Sequence, residues 1–188
     1  MNFIKLILTI FISIAFSQQS QEIKLSNVKI EGNIIASSNT ILFTSGLREG
    51  LTINATEFQR AIKRLWNLGL FEDIQIRYDE EDSDGLSITI IVKENPILGE
   101  IYFDGNKKIK DKKFQDEIDL IKGQRIRPNT INETLKKMKE LYSEKGYLNS
   151  EISWKLVDPK NQSKSNRRNS KELVKDVVFD IKENTKVK

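Results

Sequence analysis

Val28-Lys29-Ile30-Glu31-Gly32-Asn33 and, 73 residues on, Ile101-Tyr102-Phe103-Asp104-Gly105-Asn106 read as one element written twice. Each is a short alternating apolar run that meets an acid and then a Gly-Asn turn signal. The same offset of 73 lays Leu47-Arg48-Glu49-Gly50 on Leu120-Ile121-Lys122-Gly123. Further along, Gly69-Leu70-Phe71 meets Gly146-Tyr147-Leu148 at an offset of 77. At the end of each copy, Ile91-Val92-Lys93-Glu94-Asn95 meets Asp180-Ile181-Lys182-Glu183-Asn184 at 89. The growth of the offset fits a duplication. Four added residues in the helical region make about one turn, which keeps a buried face in register. Twelve more fall between two strands, where the polar run NQSKSNRRNSKE (161–172) has that length. Two domains follow, over 23–95 and 96–186, joined near Glu94-Asn95-Pro96, where a hinge is expected.

Each copy carries the same order of elements. In the first, residues 23–31 read as a strand with Val28 and Ile30 on one face. Ser38-Asn39 can cap a short helix over 40–45 that stops at Gly46. Asn54, with Glu57 three residues on, has the form of a capping box. The helix it opens has a stripe of Phe58, Ala61, Ile62, Leu65 and Trp66, which expects Trp66 in the core; Gly69 closes it. A strand then alternates Ile74, Ile76 and Tyr78 against Asp73, Gln75 and Arg77. Asp82-Ser83-Asp84-Gly85 makes the turn into Leu86, Ile88, Ile90 and Val92. The second copy gives a strand over 100–104, helices over 111–121 and 132–145 (Leu135, Met138 and Tyr142 inward), and strands over 151–157 and 174–182. Half-buried strands with a single apolar face need helices over one side, so each β-α-α-β-β unit is a two-layer α+β domain.

Ahead of the repeats, residues 1–17 have the form of a signal peptide: Lys5, an apolar run from Leu6 to Ile12, and small residues before a cleavage site between Ser17 and Gln18. That run is short for the ~20 residues a spanning helix needs. A short tail, 18–22, leads into the first domain, and the mature chain is expected to be exported.

The 188 residues include neither cysteine nor histidine. This removes disulfides, thiol nucleophiles, zinc-thiolate sites, the Ser-His-Asp triad and imidazole bases from consideration. The net charge is +4, from 31 Lys+Arg against 27 Asp+Glu. Lys5 leaves with the leader, and the 161–172 insertion, with four cations and one anion, holds all the remaining excess. A single loop of this kind without aromatics is a poor nucleic-acid platform. The carboxylate run Asp79-Glu80-Glu81-Asp82-Ser83-Asp84 lacks the spacing and internal glycine of an EF-hand loop and reads as a solvated hairpin tip. No metal, cofactor or catalytic group is expected. Ile152, Trp154 and Leu156 share one face by parity, which assigns Trp154 to the core.

The duplicated order resembles POTRA domains, most closely the N-terminal POTRA domains of BamA-type outer-membrane assembly factors. The resemblance rests on Ser45-Gly46-Leu47-Arg48-Glu49-Gly50, Ala61-Ile62-Lys63-Arg64-Leu65-Trp66, Leu70-Phe71-Glu72-Asp73-Ile74 and, in the second copy, Leu141-Tyr142 with Lys145-Gly146-Tyr147-Leu148. It implies two tandem three-stranded mixed sheets of order 1-3-2, each with two helices on one face. It also implies a non-enzymatic role on the periplasmic face of the bacterial outer membrane. The implied partners are unfolded outer-membrane β-barrel proteins, accessory assembly proteins, and the membrane through a C-terminal barrel not present in this sequence. Lys182-Glu183-Asn184-Thr185-Lys186 resembles a linker into another unit, so the sequence is expected to be a fragment. In the order 1-3-2 the second strand lies at an edge and can take up an extended peptide by β-augmentation. The candidate edges are Asp73, Ile74, Gln75, Ile76, Arg77 and Tyr78, and Glu151, Ile152, Ser153, Trp154, Lys155 and Leu156. Asp73, Arg77, Glu151 and Lys155 are also charges of the kind that protect an edge. The alternatives are a two-partner secretion or translocation transporter of the same family and, in another class, a secreted structural or adhesive module.

Overall fold

The structure, a computed structural model, describes residues 22–159 and 173–186. The expected signal peptide, the cleavage site at Ser17-Gln18 and the 161–172 insertion lie outside the described residues.

The first unit runs β1 (Glu22–Glu31), α1 (Ser38–Ser45), β2 (Thr52–Asn54), α2 (Ala55–Asn67), β3 (Phe71–Asp82) and β4 (Gly85–Glu94). The second runs β5 (Ile97–Asp104), α3 (Asp111–Glu117), α4 (Pro128–Glu144), β6 (Glu151–Val157) and β7 (Val174–Lys182). The sheets have the orders β2-β1-β4-β3 and β5-β7-β6. In each, the last strand lies between the first strand, to which it is parallel, and the strand that precedes it in sequence, to which it is antiparallel. The central strand is the most buried and reads as a nearly continuous apolar run: Ile88, Ile90 and Val92 in one sheet, Val177, Phe179 and Ile181 in the other. Against one face of the first sheet pack Ile41, Phe58, Ala61 and Leu65; against the second pack Phe114, Ile131, Met138 and Tyr142. Phe103 stacks between Phe114 and Phe179, at centroid distances of 5.0 and 5.7 Å.

The Gly-Asn signal has the same geometry twice. Gly32 (φ 81°) and Gly105 (φ 85°) lie against the backbone carbonyls of Val92 and Ile181, where a Cβ would overlap the oxygen. Only glycine meets both demands. The following asparagine closes the loop, Asn33 Nδ2 donating to Ala36 O (2.8 Å) and Asn106 Nδ2 to Ile109 O (2.9 Å).

Several local expectations are corrected. The first sheet has a fourth strand, β2, which pairs antiparallel with Glu22–Lys24. In the second unit the same place is reduced to one bridge, Ile97 to Arg125. Pro96 stands where Ile23 stands in the first copy and has no N–H to donate, so only its carbonyl is used, accepting from Ile126 N–H at 2.7 Å. The cap of α1 is Ser37, which accepts from Thr40 N–H at 3.1 Å. Asn54 does cap α2, but the Glu57 carboxylate turns to Arg60 and Arg64 rather than back to the cap. Helix α3 ends at Glu117, because Ile118 turns extended and both Ile118 and Leu120 enter the core. Helix α4 starts a turn earlier than expected, at Pro128, a residue whose fixed φ suits the first helical position. Trp66 is half exposed, since it sits ~100° around the helix from Leu65, beyond the buried stripe.

Candidate functional site

The sequence-based candidates gather at one edge of each sheet. Among the described residues, β3 pairs only with β4, and β6 only with β7. In β3 the register shifts between Phe71 and Asp73 and again between Tyr78 and Glu80, so the unbroken stretch is Asp73–Tyr78. β6 runs without a shift from Glu151 to Val157. The helix-facing residues of β3, Ile74, Ile76 and Tyr78, lie opposite Val92, Ile90 and Ile88. Tyr78 meets Phe58 of α2 edge-to-face at 5.5 Å, yet the residue is 60% exposed. In β6, Trp154 and Leu156 lie opposite the buried Phe179 and Val177. Parity does put Trp154 on the core face, but the helices cover the middle of the sheet and leave it 39% exposed. An apolar ledge therefore runs beside each edge strand.

The charges expected to guard these edges are engaged by neighbours along the strand or across the sheet. Arg77 reaches Asp79 (2.8 Å) and Glu31 (3.5 Å), Lys155 reaches Asp180 (2.8 Å), and Lys182 reaches Glu151 (3.7 Å). The Thr89 hydroxyl and the Arg77 guanidinium hold the Asp79 carboxyl below the usual carboxylate range. Asp73 accepts from the Gln75 amide at 2.7 Å.

The segment Glu94-Asn95-Pro96, expected as a hinge, is fastened on both sides in this structure. Glu94 and Asn95 are 2% and 3% exposed. Glu94 Oε1 accepts the N–H groups of Ile34, Ile35 and Ala36 (2.6–2.9 Å). Its Oε2 accepts from Arg125 Nη2 at 2.9 Å. Arg125 Nη1 also donates to Asn95 O at 3.0 Å, and Asn95 Nδ2 donates to Phe71 O at 3.0 Å. Burial pushes the Glu94 pKa up, but the three amides and Arg125 outweigh it and hold the carboxyl below the usual glutamate value. A buried carboxylate is kept ionised in this way only when its oxygens are met by donors. Arg125 was not singled out by the sequence. Its only signal is position: it stands where the first copy has Thr52, a charge substituted into an otherwise matching loop.

Repeated β-α-α-β-β units, in which the last strand is parallel to the first and antiparallel to an edge strand, define a class of small two-layer α+β domains carried in tandem. A POTRA family model, described as "Surface antigen variable number repeat", matches residues 23–95 and 96–184. The chain belongs to this family. Among curated proteins it is similar to the outer membrane protein assembly factor BamA of Nitratidesulfovibrio vulgaris, with 24% identity over 132 residues, 70% of this chain and 17% of that one. It is also similar to BamA of Neisseria meningitidis serogroup B, with 28% identity over 137 residues, 71% of this chain and 16% of that one. The chain thus spans less than a fifth of these relatives. Among solved structures, the N-terminal domain of Omp85 from Thermosynechococcus elongatus superposes with a TM-score of 0.55 at 16% identity, covering 87% of this chain and 63% of that one. POTRA1-2 of the periplasmic domain of Omp85 from Anabaena gives 0.53 at 15% identity, covering 90% and 99%.

Proposed function

We propose that this chain is the periplasmic POTRA region of a BamA-like outer-membrane protein assembly factor, exported across the inner membrane. It holds unfolded outer-membrane β-barrel proteins, and accessory assembly subunits, for insertion by a membrane barrel elsewhere in the protein. The role is scaffolding, without catalysis, cofactor or nucleic acid. Support comes from similarity to BamA proteins over 70% of the chain. The observation that carries the mechanism is the pair of edge strands with apolar ledges. An incoming extended segment adds backbone hydrogen bonds along Asp73–Tyr78 or Glu151–Leu156, which read almost nothing of its sequence. Its alternate side chains lie on Tyr78 in one unit and on Trp154 and Leu156 in the other. Such pairing suits a client set that shares alternating β-strands but no single motif. The test is proline at Gln75 and at Ser153, since edge strands tolerate proline within the fold but lose pairing capacity. Crosslinking of a nascent barrel protein to the doubly substituted, still-folded chain should fall severalfold. Unchanged crosslinking would remove edge recognition from the account.

A further inference from the structure

The carboxylate that fastens the two units together has a twin at the far end of the second unit. Glu183 occupies the place of Glu94 under the offset of 89, and Lys108 that of Ile35 under the offset of 73. The contact is repeated as well. Glu183 Oε1 accepts the Lys108 N–H at 2.6 Å and the Tyr142 hydroxyl at 3.0 Å, as Glu94 Oε1 accepts the N–H of Ile35 and its neighbours. In both copies the carboxylate thus turns one oxygen inward to the loop that follows the first strand. In the first copy the other oxygen is taken by Arg125 of the next unit. In the second copy, Glu183 Oε2 receives no hydrogen bond among the described residues. The twins differ in exposure accordingly: Glu94 and Asn95 are buried, whereas Glu183 is half-buried and Asn184 exposed.

We propose that Glu183 and Asn184 form a second socket of the same design, which receives an arginine from a further β-α-α-β-β unit joined after Asn184 as the second unit is joined after Asn95. The plug is specified by the first junction. It is an arginine two residues beyond the glycine that closes the loop before the unit's second helix, as in Gly123-Gln124-Arg125. One terminal nitrogen binds Glu183 Oε2 and the other the Asn184 carbonyl, repeating the bonds of Arg125 to Glu94 and Asn95. Fork geometry of this kind is available to arginine and not to lysine. Each junction then fixes the angle of the next unit, so that a row of units makes a stiff rod rather than a string.

The test extends the full chain after Asn184 with a second copy of residues 96–186, which places the copied arginine at the same 31-residue distance from Glu183 that separates Arg125 from Glu94. The chain has no cysteine, so pairs of introduced cysteines carry spin labels cleanly. Labels at Lys63 and Lys136 report the first junction, and labels at Lys136 and its copy report the second. The distance distribution across the second junction should be as narrow as that across the first. It should broaden at least twofold with Glu183→Gln, and equally with Arg→Gln at the copied Arg125. Because Glu183 also supports Lys108 and Tyr142, the substitution in the appended copy decides the matter if Glu183→Gln disturbs its own unit. A distribution that is broad from the start, or narrow and indifferent to the copied-arginine substitution, would overturn the proposal.

Discussion

Replacing Arg125 by methionine removes the guanidinium but keeps most of the apolar stem, so the cost isolates the junction. In the structure the Arg125 side chain is 14% exposed and Glu94 is fully covered. Deleting one partner of a buried pair costs about 3–5 kcal/mol when the remaining charge has nothing else. Here Glu94 Oε1 keeps its three amide donors, Oε2 and the Asn95 carbonyl lose theirs, and the Leu70 carbonyl loses a long contact of 3.5 Å while keeping the Asn95 N–H. The expected loss is therefore lower, about 2–3 kcal/mol, near that of one or two charge-assisted hydrogen bonds. For a folded chain of this size that is roughly 4–12 °C in melting temperature. Urea unfolding of R125M, E94Q and the double variant measures the pair directly, and the double-mutant cycle should return a coupling above ~1 kcal/mol. A coupling indistinguishable from zero would refute the assignment of Glu94 and Arg125 as the fastening. The same pair predicts an acid dependence. A carboxyl whose folded pKa is depressed contributes stability that is fully present above its unfolded value, near 4.3, and is lost as pH falls through the lower folded value. Wild type should thus weaken below about pH 4.3 more steeply than E94Q.

Three further outcomes follow from particular contacts. Gly32→Ala and Gly105→Ala should each destabilise by about 2 kcal/mol or more, since each adds a Cβ at positive φ against a strand carbonyl; urea melts should show similar losses and near-additivity, and a silent member of the pair would contradict the repeat. Tyr142 is buried and donates to Glu183, both of which push its pKa above the ordinary tyrosine range; the ultraviolet titration curves of wild type and Y142F should therefore coincide up to pH 11, and a difference between them below that pH would contradict the burial of the hydroxyl. Trp154→Ala should cost about 1 kcal/mol in stability, less than a core aromatic, yet weaken client crosslinking through β6 severalfold; full-strength crosslinking would separate the ledge from recognition.

The repeat was legible because its strongest signals are steric or periodic. Gly32 and Gly105 face strand carbonyls, the Ile74-Ile76-Tyr78 alternation sets one face of β3, and Gly69 and Gly146 end their helices. Each of these leaves its mark within a few residues of sequence, as a Gly-Asn pair, an alternation or a glycine after a helical stripe. What escaped depends on partners distant in sequence. Trp66 and Trp154 were assigned to the core by phase alone, whereas the extent of the covering layer decides how much of each ring is closed off. The turn from helix to extended chain at Ile118 is fixed by the pockets that Ile118 and Leu120 fill, and the same residues also satisfy a helical pattern. Glu94, Asn95 and Pro96 read as a linker from composition. The arginine that fastens them arrives from thirty residues further on, through a loop with no local mark except that Thr52 stands in its place in the other copy.

Hydrogen exchange on the full chain, with and without an extended peptide taken from a transmembrane strand of a barrel protein, tests edge recognition most directly. Strand addition predicts slowed amides along Asp73–Tyr78 or Glu151–Leu156, with β1 and β5 unchanged. Protection confined to the helices, or none at saturating peptide, would contradict it.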